Sequence, residues 1–481
     1  MADYKAYSVH MGKAKCAVDL GDGSERGEYV NQDYILHKLG RPHRSISLMY
    51  CYYPLDEQFP GRISEVMKDA NVSFQWDYPY DDYFTYKGGL EGSTEGEPFT
   101  FMRDIRRHGQ DVTLTLTIDP NVSDEQLVAI AKDLRPFGRL LLRVNHEATG
   151  NWFSFTKRST YQGVADFYCR FNKILKEHAP NVQTILCIGG IEDLNATEII
   201  MEKEFSQAVK ETDIWSVDKY MALHWGWPYD VAKKDAENKS FGRSKVADTY
   251  ALTKMSYRRF KEINGGVAKP MVMSEFNADG DVTGPYDQAE MVKTFCDLLK
   301  YDPEEWFSGF TFYQFRDRGR LGLEIEDPNY PDCGIEQPVM QTYKEIIHDD
   351  FFKPAMTRGE ELSLPATLRW SGSEDAEGIE IPLHFDGAPH FCELYFKDDS
   401  NLMIELDGKW FYKSPKAKCI DLMSYFFENP IDGPVDLTLR LFAPPASGEN
   451  DLSLESGDGL MNAYQTLEAL PEIRIEYEPV M

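Results

Sequence analysis

From about residue 41 to residue 350, short β-branched and aromatic runs alternate with amphipathic helical patterns, and this alternation constrains the chain more than any other feature. The runs are RSISLMY (44–50), NVSFQW (71–76), DVTLTLTI (111–118), RLLLRVN (139–145), VQTILCI (182–188), WSVDKYMAL (215–223), KPMVMSEF (269–276) and FSGFTFYQF (307–315). Parallel neighbours need long crossovers, which the intervening helical segments supply. One such segment opens on a capping box, Ser123 with Gln126, ahead of Leu127, Ile130, Ala131 and Leu134. Another carries Val164, Phe167, Tyr168, Phe171, Ile174 and Leu175 at three- and four-residue intervals, a stripe that packs on a sheet. Eight strands with helices between them predict an α/β fold, a closed (β/α)8 or TIM barrel.

Past about residue 355 the helical pattern gives way to short strands such as GIEIPLHF, CELYFKD, LMIELDGKWFY and VDLTLRLF, separated by Gly, Pro, Asp and Ser. The chain therefore divides into a catalytic barrel over 1–355 and a β-sandwich accessory domain over 356–481.

A formal net charge of −29 repels phosphate backbones and anionic lipid, so neither nucleic acid nor a membrane is an expected partner. A neutral carbohydrate is not repelled, and the 13% aromatic residues offer flat faces for sugar rings. The eight cysteines lack metal-like spacing and several fall in apolar runs, and His10, His43, His146 and His224 are isolated. No metal or other cofactor is expected, and buried free thiols point to a reducing compartment. The amino terminus has no apolar core of signal-peptide length, so the reading is cytoplasmic residence, or export with the leader already removed. Oligomeric state is not legible.

Catalytic groups of such barrels sit at the carboxyl ends of strands. The fourth run ends LLLRVNHEATGNWF, which places Glu147 just beyond it with Asn145, His146 and Trp152, and the seventh ends KPMVMSEFNADG, which places Glu275 at the same level. Strands four and seven face each other across the mouth, a geometry that holds two carboxyl groups about 5 Å apart on either side of a glycosidic bond and retains configuration. Trp152 and Phe153 give Glu147 an apolar setting suited to a general acid/base, leaving Glu275 as nucleophile. Arg143 shares strand parity with Asn145 and Glu147, which fits either an orienting role or a buried salt bridge.

On these two strand ends the sequence resembles clan A of the glycoside hydrolases, and within it the family 26 β-mannanases. RVNHEATGNWF is similar to the family's acid/base segment and MSEF to its nucleophile segment. The resemblance implies that His146 and Trp152 line the sugar site and that Tyr220, from strand six, hydrogen-bonds the nucleophile. The chain departs from the family at Ala148 and Thr149 and at Tyr313, Gln314 and Phe315, so hydrolysis of β-glucan, β-xylan or a galactan stands beside a β-mannan-type substrate. A non-catalytic carbohydrate-binding barrel would normally have lost one of the two glutamates.

Further candidates for substrate contact are His224 and Trp225, with Trp227, after strand six, Trp76 and Tyr78 after the second run, and Gln314 after the eighth. Each also has a packing explanation. Glu324 and Glu326, beyond the eighth run, are within reach of the same mouth.

Overall fold

The computed structural model describes residues 4–22, 29–57, 84–151, 153–222, 245–317, 319–330, 332–370, 376–443 and 464–478. Its centre is a closed parallel barrel with the strand order Ala17–Gly21, Ser45–Tyr52, Asp111–Ile118, Leu140–Val144, Val182–Cys187, Ile214–Ser216, Met271–Ala278 and Gly309–Phe312. Gly309–Phe312 pairs with both Met271–Ala278 and Ala17–Gly21, which closes the ring. A second short piece, Lys219–Met221, continues strand six and pairs further up strand seven. The barrel and the C-terminal antiparallel sheets expected from the sequence are both present.

The strand count needs one correction. Ser45–Tyr52 and Asp111–Ile118 are direct neighbours over their full length, from Ser45 opposite Asp111 to Tyr52 opposite Ile118, whereas the sequence reading sets the run at residues 71–76 between them. Those residues lie outside the described ones. The missing stave is Ala17–Gly21, with Val18 and Leu20 in the core and Asp19 in its centre. Asp19 accepts from Arg44 Nε at 2.8 Å and from the Ser45 amide at 3.1 Å, so the charge that disguises this strand is used to anchor its neighbour.

Alternation along each stave sorts side chains between two environments. Val112, Leu114, Leu116, Leu140, Leu142 and Val144 join the large core beneath the helices. Inside the barrel, Leu141, Ile185, Ile214 and Val272 form a small separate apolar plug. Two residues further along those same strands come Arg143, Cys187, Ser216 and Ser274, all buried. The floor is therefore apolar, and the layer above it is polar and hydrogen-bonded.

The accessory part is a sandwich. Its larger sheet runs Met356–Glu361, Tyr7–Met11, Ala376–Phe385, Val435–Phe442, Leu402–Leu406 and Lys409–Lys413, with Ala366–Trp370 and Tyr464–Leu467 alongside. Cys419–Asp421, Phe391–Tyr395 and Glu472–Glu476 make the smaller sheet, and Ile379, Ile381, Leu383, Leu394 and Leu439 are packed into a common core. Tyr7–Met11, from the start of the chain, is paired on both sides inside the larger sheet. The outer face of that sheet meets the barrel helix Gln32–Leu39 through Leu36, Met11, Trp410 and Phe442. Trp410 N also donates to Gly40 O at 2.7 Å, and the His108 and Tyr412 rings stand 4.2 Å apart. Among the described residues no helix is long and apolar enough to cross a membrane.

Candidate active site

Strand seven delivers Glu275 through an irregularity. Met273 pairs with Phe310 and Phe276 with Phe312, so three residues advance on one strand against two on the other. A bulge of this kind breaks the alternation and re-aims a side chain. Met273 and Phe276 both remain in the core under the helices, while Ser274 and Glu275 both turn to the polar interior, where Ser274 Oγ donates to Asp218 and the Glu275 carboxylate accepts from Arg143.

Glu275 is 6% exposed and held from three directions. Arg143 Nη2 donates to its Oε1 at 2.7 Å, Tyr220 Oη donates to its Oε2 at 2.8 Å, and its own amide donates to Asp218 Oδ1 at 2.9 Å. The Tyr220 contact is the one the family resemblance implies. His146 Nε2 stands 3.7 Å from Oε1, beyond hydrogen-bonding distance. Burial, with the Arg143 charge beside it, pushes the His146 imidazole well below its ordinary pKa, so the ring is neutral. Its other neighbour is Phe153, with ring centroids 4.4 Å apart.

Glu147 is presented by a turn with unusual backbone. Asn145 has φ 46° and Glu147 φ 49°, left-handed values that asparagine tolerates and glutamate seldom adopts. The turn is held by its neighbours: Asn145 N donates to Leu116 O at 3.1 Å, Ala148 N to Cys187 O at 3.1 Å and Gly189 N to Thr149 Oγ1 at 2.8 Å. Strain of this sort costs about 1–3 kcal/mol per residue and persists only where the surroundings impose it. The Asn145 side chain is spent within the scaffold, its Oδ1 accepting from Ile118 N at 2.6 Å and its Nδ2 donating to Ile118 O at 3.2 Å.

These arrangements bring Glu147, Asp218 and Glu275 together, each presenting a carboxylate oxygen within 4.8 Å of the others. The cation that meets this cluster of carboxylates is the guanidinium of Arg143. Arg143 already bonds two of them, through Nη1 to Asp218 Oδ2 at 3.1 Å and Nη2 to Glu275 Oε1 at 2.7 Å, while its Nε donates to Thr115 Oγ1 at 2.6 Å. Both readings of Arg143 offered by the sequence, orienting group and buried ion pair, are realised in one side chain. Asp218 went unnoticed in the sequence. Its signal is a charged pair, Asp218 and Lys219, inside a run otherwise suited to a strand. Burial pulls the Lys219 ammonium below its ordinary pKa, against the nearby carboxylates of Glu192, Glu147 and Asp218.

Gln314 is 1% exposed at the end of strand eight, and its Nε2 donates to Asp317 Oδ1 at 3.2 Å. Glu324 is fully buried, accepting from Arg316 Nε at 2.6 Å and from Tyr34 Oη at 3.1 Å. Trp76, Tyr78, Trp152, His224, Trp225 and Trp227 lie outside the described residues.

No family model matches the sequence, and no curated protein matches it either. Solved structures similar to the chain include a Cellulomonas fimi endo-beta-1,4-mannanase double mutant, 12% identical with a TM-score of 0.44, covering 88% of this chain and 93% of that one. A family 51 alpha-L-arabinofuranosidase from Bifidobacterium longum is 11% identical, with a TM-score of 0.45 and coverage of 90% and 97%. A family 39 glycoside hydrolase from Bacteroides cellulosilyticus WH2 is 11% identical, with a TM-score of 0.43 and coverage of 89% and 80%.

Proposed function

We propose that the chain is a retaining glycoside hydrolase that cleaves β-glycosidic bonds in a polysaccharide or oligosaccharide of β-mannan type by double displacement. The observation that carries this reading is the approach of Glu147 and Glu275 to within 4.8 Å, from strand ends on opposite sides of a barrel mouth. A separation near 5 Å leaves no room for a water between carboxylate and sugar, so the second carboxylate itself attacks. Glu275, with each oxygen tethered by a donor, is the oriented nucleophile. It bonds the anomeric carbon while the glycosidic C–O bond breaks, and Glu147 gives its proton to the departing oxygen. Glu147, now a carboxylate, takes a proton from the water that attacks the anomeric carbon and releases Glu275. The substrate class follows from the resemblance of RVNHEATGNWF and MSEF to the family 26 segments.

Azide distinguishes the two roles. In Glu275→Ala it occupies the nucleophile's place and yields a glycosyl azide of inverted configuration, while in Glu147→Ala it intercepts the glycosyl-enzyme and yields the retained anomer. Wild-type turnover by Glu275→Ala would refute the mechanism. A panel of β-linked mannan, glucan, xylan and galactan with product chromatography tests the substrate class, and preferential release from any of the last three would displace mannan.

A further inference from the structure

The Asp218 side chain is 1% exposed and, among the described residues, meets four hydrogen-bond donors. Its Oδ1 accepts from Glu275 N at 2.9 Å and Ser274 Oγ at 2.8 Å, and its Oδ2 accepts from Arg143 Nη1 at 3.1 Å and Cys187 Sγ at 3.0 Å. Only an ionised carboxylate satisfies such a set, because an asparagine amide turns its NH2 towards either the guanidinium or the Glu275 amide. Arg143 in turn is shared, with one terminal nitrogen on Asp218 and the other on Glu275. We propose that Asp218 is a positioning residue that divides the charge of Arg143 and fixes the bulged backbone of strand seven, so that Glu275 is oriented without being neutralised. This rests on the reading of Glu275 as nucleophile. A carboxylate locked in a full guanidinium pair is a poorer nucleophile, since its charge is already compensated where bond formation must draw on it.

Among the described residues, the charged and titratable groups facing this cluster are Arg143, His146 and Glu147 from strand four and its turn, Cys187 from strand five, and Asp218, Lys219 and Tyr220 from strand six. Neutralising Asp218 removes a nearby negative charge and leaves Arg143 to Glu275 alone, and both changes favour the ionised form of Glu275. The test is a carbon-13 NMR titration of side-chain-labelled glutamate in the full chain, with the Glu275 resonance identified by its loss in Glu275→Gln. In Asp218→Asn the midpoint of that resonance falls by about one pH unit, and Asp218→Ala, which carries no misdirected NH2, gives the same direction. In parallel, kcat/KM for a dinitrophenyl β-mannobioside, whose leaving group needs no acid, falls at least tenfold in both variants, and its acid limb moves to lower pH. An unchanged or raised midpoint in folded variants overturns the proposal. A lowered midpoint in a chain whose wild type hydrolyses no β-glycoside leaves the charge division standing and removes the hydrolase reading instead.

Discussion

Replacing Asn145 separates a scaffold role from a sugar contact. The side chain is buried and closes two hydrogen bonds on the Ile118 backbone, at 2.6 and 3.2 Å, at the point where strands three and four end. Asn145→Ala strands a buried N–H and a buried carbonyl, each worth about 1–3 kcal/mol, and places an alanine at φ 46°, so a loss of about 2–4 kcal/mol is expected after partial relaxation. Asn145→Gly loses the same bonds but relieves the left-handed backbone, and recovers up to about 1 kcal/mol of that. Urea unfolding at constant pH reads both variants. Because Glu147 lies two residues on in the same turn, a shift of about 1 Å in its carboxyl lowers kcat by about a hundredfold. If Asn145→Ala unfolded at the wild-type urea midpoint and showed only a raised KM, the side chain would be a substrate ligand and the scaffold argument would fail.

Glu147→Ala should keep kcat/KM on dinitrophenyl glycosides near the wild-type value while kcat falls, because the glycosyl-enzyme then lacks its base, and should lose about a hundred- to ten-thousandfold in kcat/KM on polysaccharide; equal losses of kcat/KM on both would contradict its acid role. Tyr220→Phe removes a hydrogen bond of 2.8 Å to a buried carboxylate and should lower kcat/KM by about ten- to a hundredfold, with a circular dichroism spectrum unchanged. His43 and His146 are both buried and pushed well below the ordinary imidazole pKa, so between about pH 6.5 and 5 the unfolded chain takes up protons that the folded chain refuses. Stability should therefore fall as pH drops through that window, by up to about 1.4 kcal/mol per unit for each histidine, and a urea midpoint that is flat there would deny it. Removing residues 356–481 takes away both partners of Tyr7–Met11 and the cover of Leu36, and should give an aggregating barrel by size-exclusion chromatography.

Seven of the eight staves were legible because their apolar runs are long enough to survive interruption. Ala17–Gly21 was not, since two core side chains around a buried Asp19 read as a loop until Arg44 is seen opposite. Counting residues 71–76 in its place kept the numbering of strands four and seven, so Glu147 just beyond strand four and Glu275 on strand seven keep the strand numbers the sequence assigns them. Asp218 escaped because its role lies in four donors drawn from strands four, five and seven, none near it in sequence. The bulge beside Glu275 was equally hidden, because sequence parity places Ser274 and Glu275 on opposite faces and only the slip against Phe310 and Phe312 unites them.

The seat of Tyr7–Met11 inside a sheet built from the other end of the chain sets a timetable for biosynthesis. Tyr7 pairs with Glu361 and Glu380, so this segment is synthesised well before its partners and stays unpaired until they emerge. The sheet therefore closes over a long stretch of intervening chain, and the unpaired strand is the stage at which chaperones have most to protect.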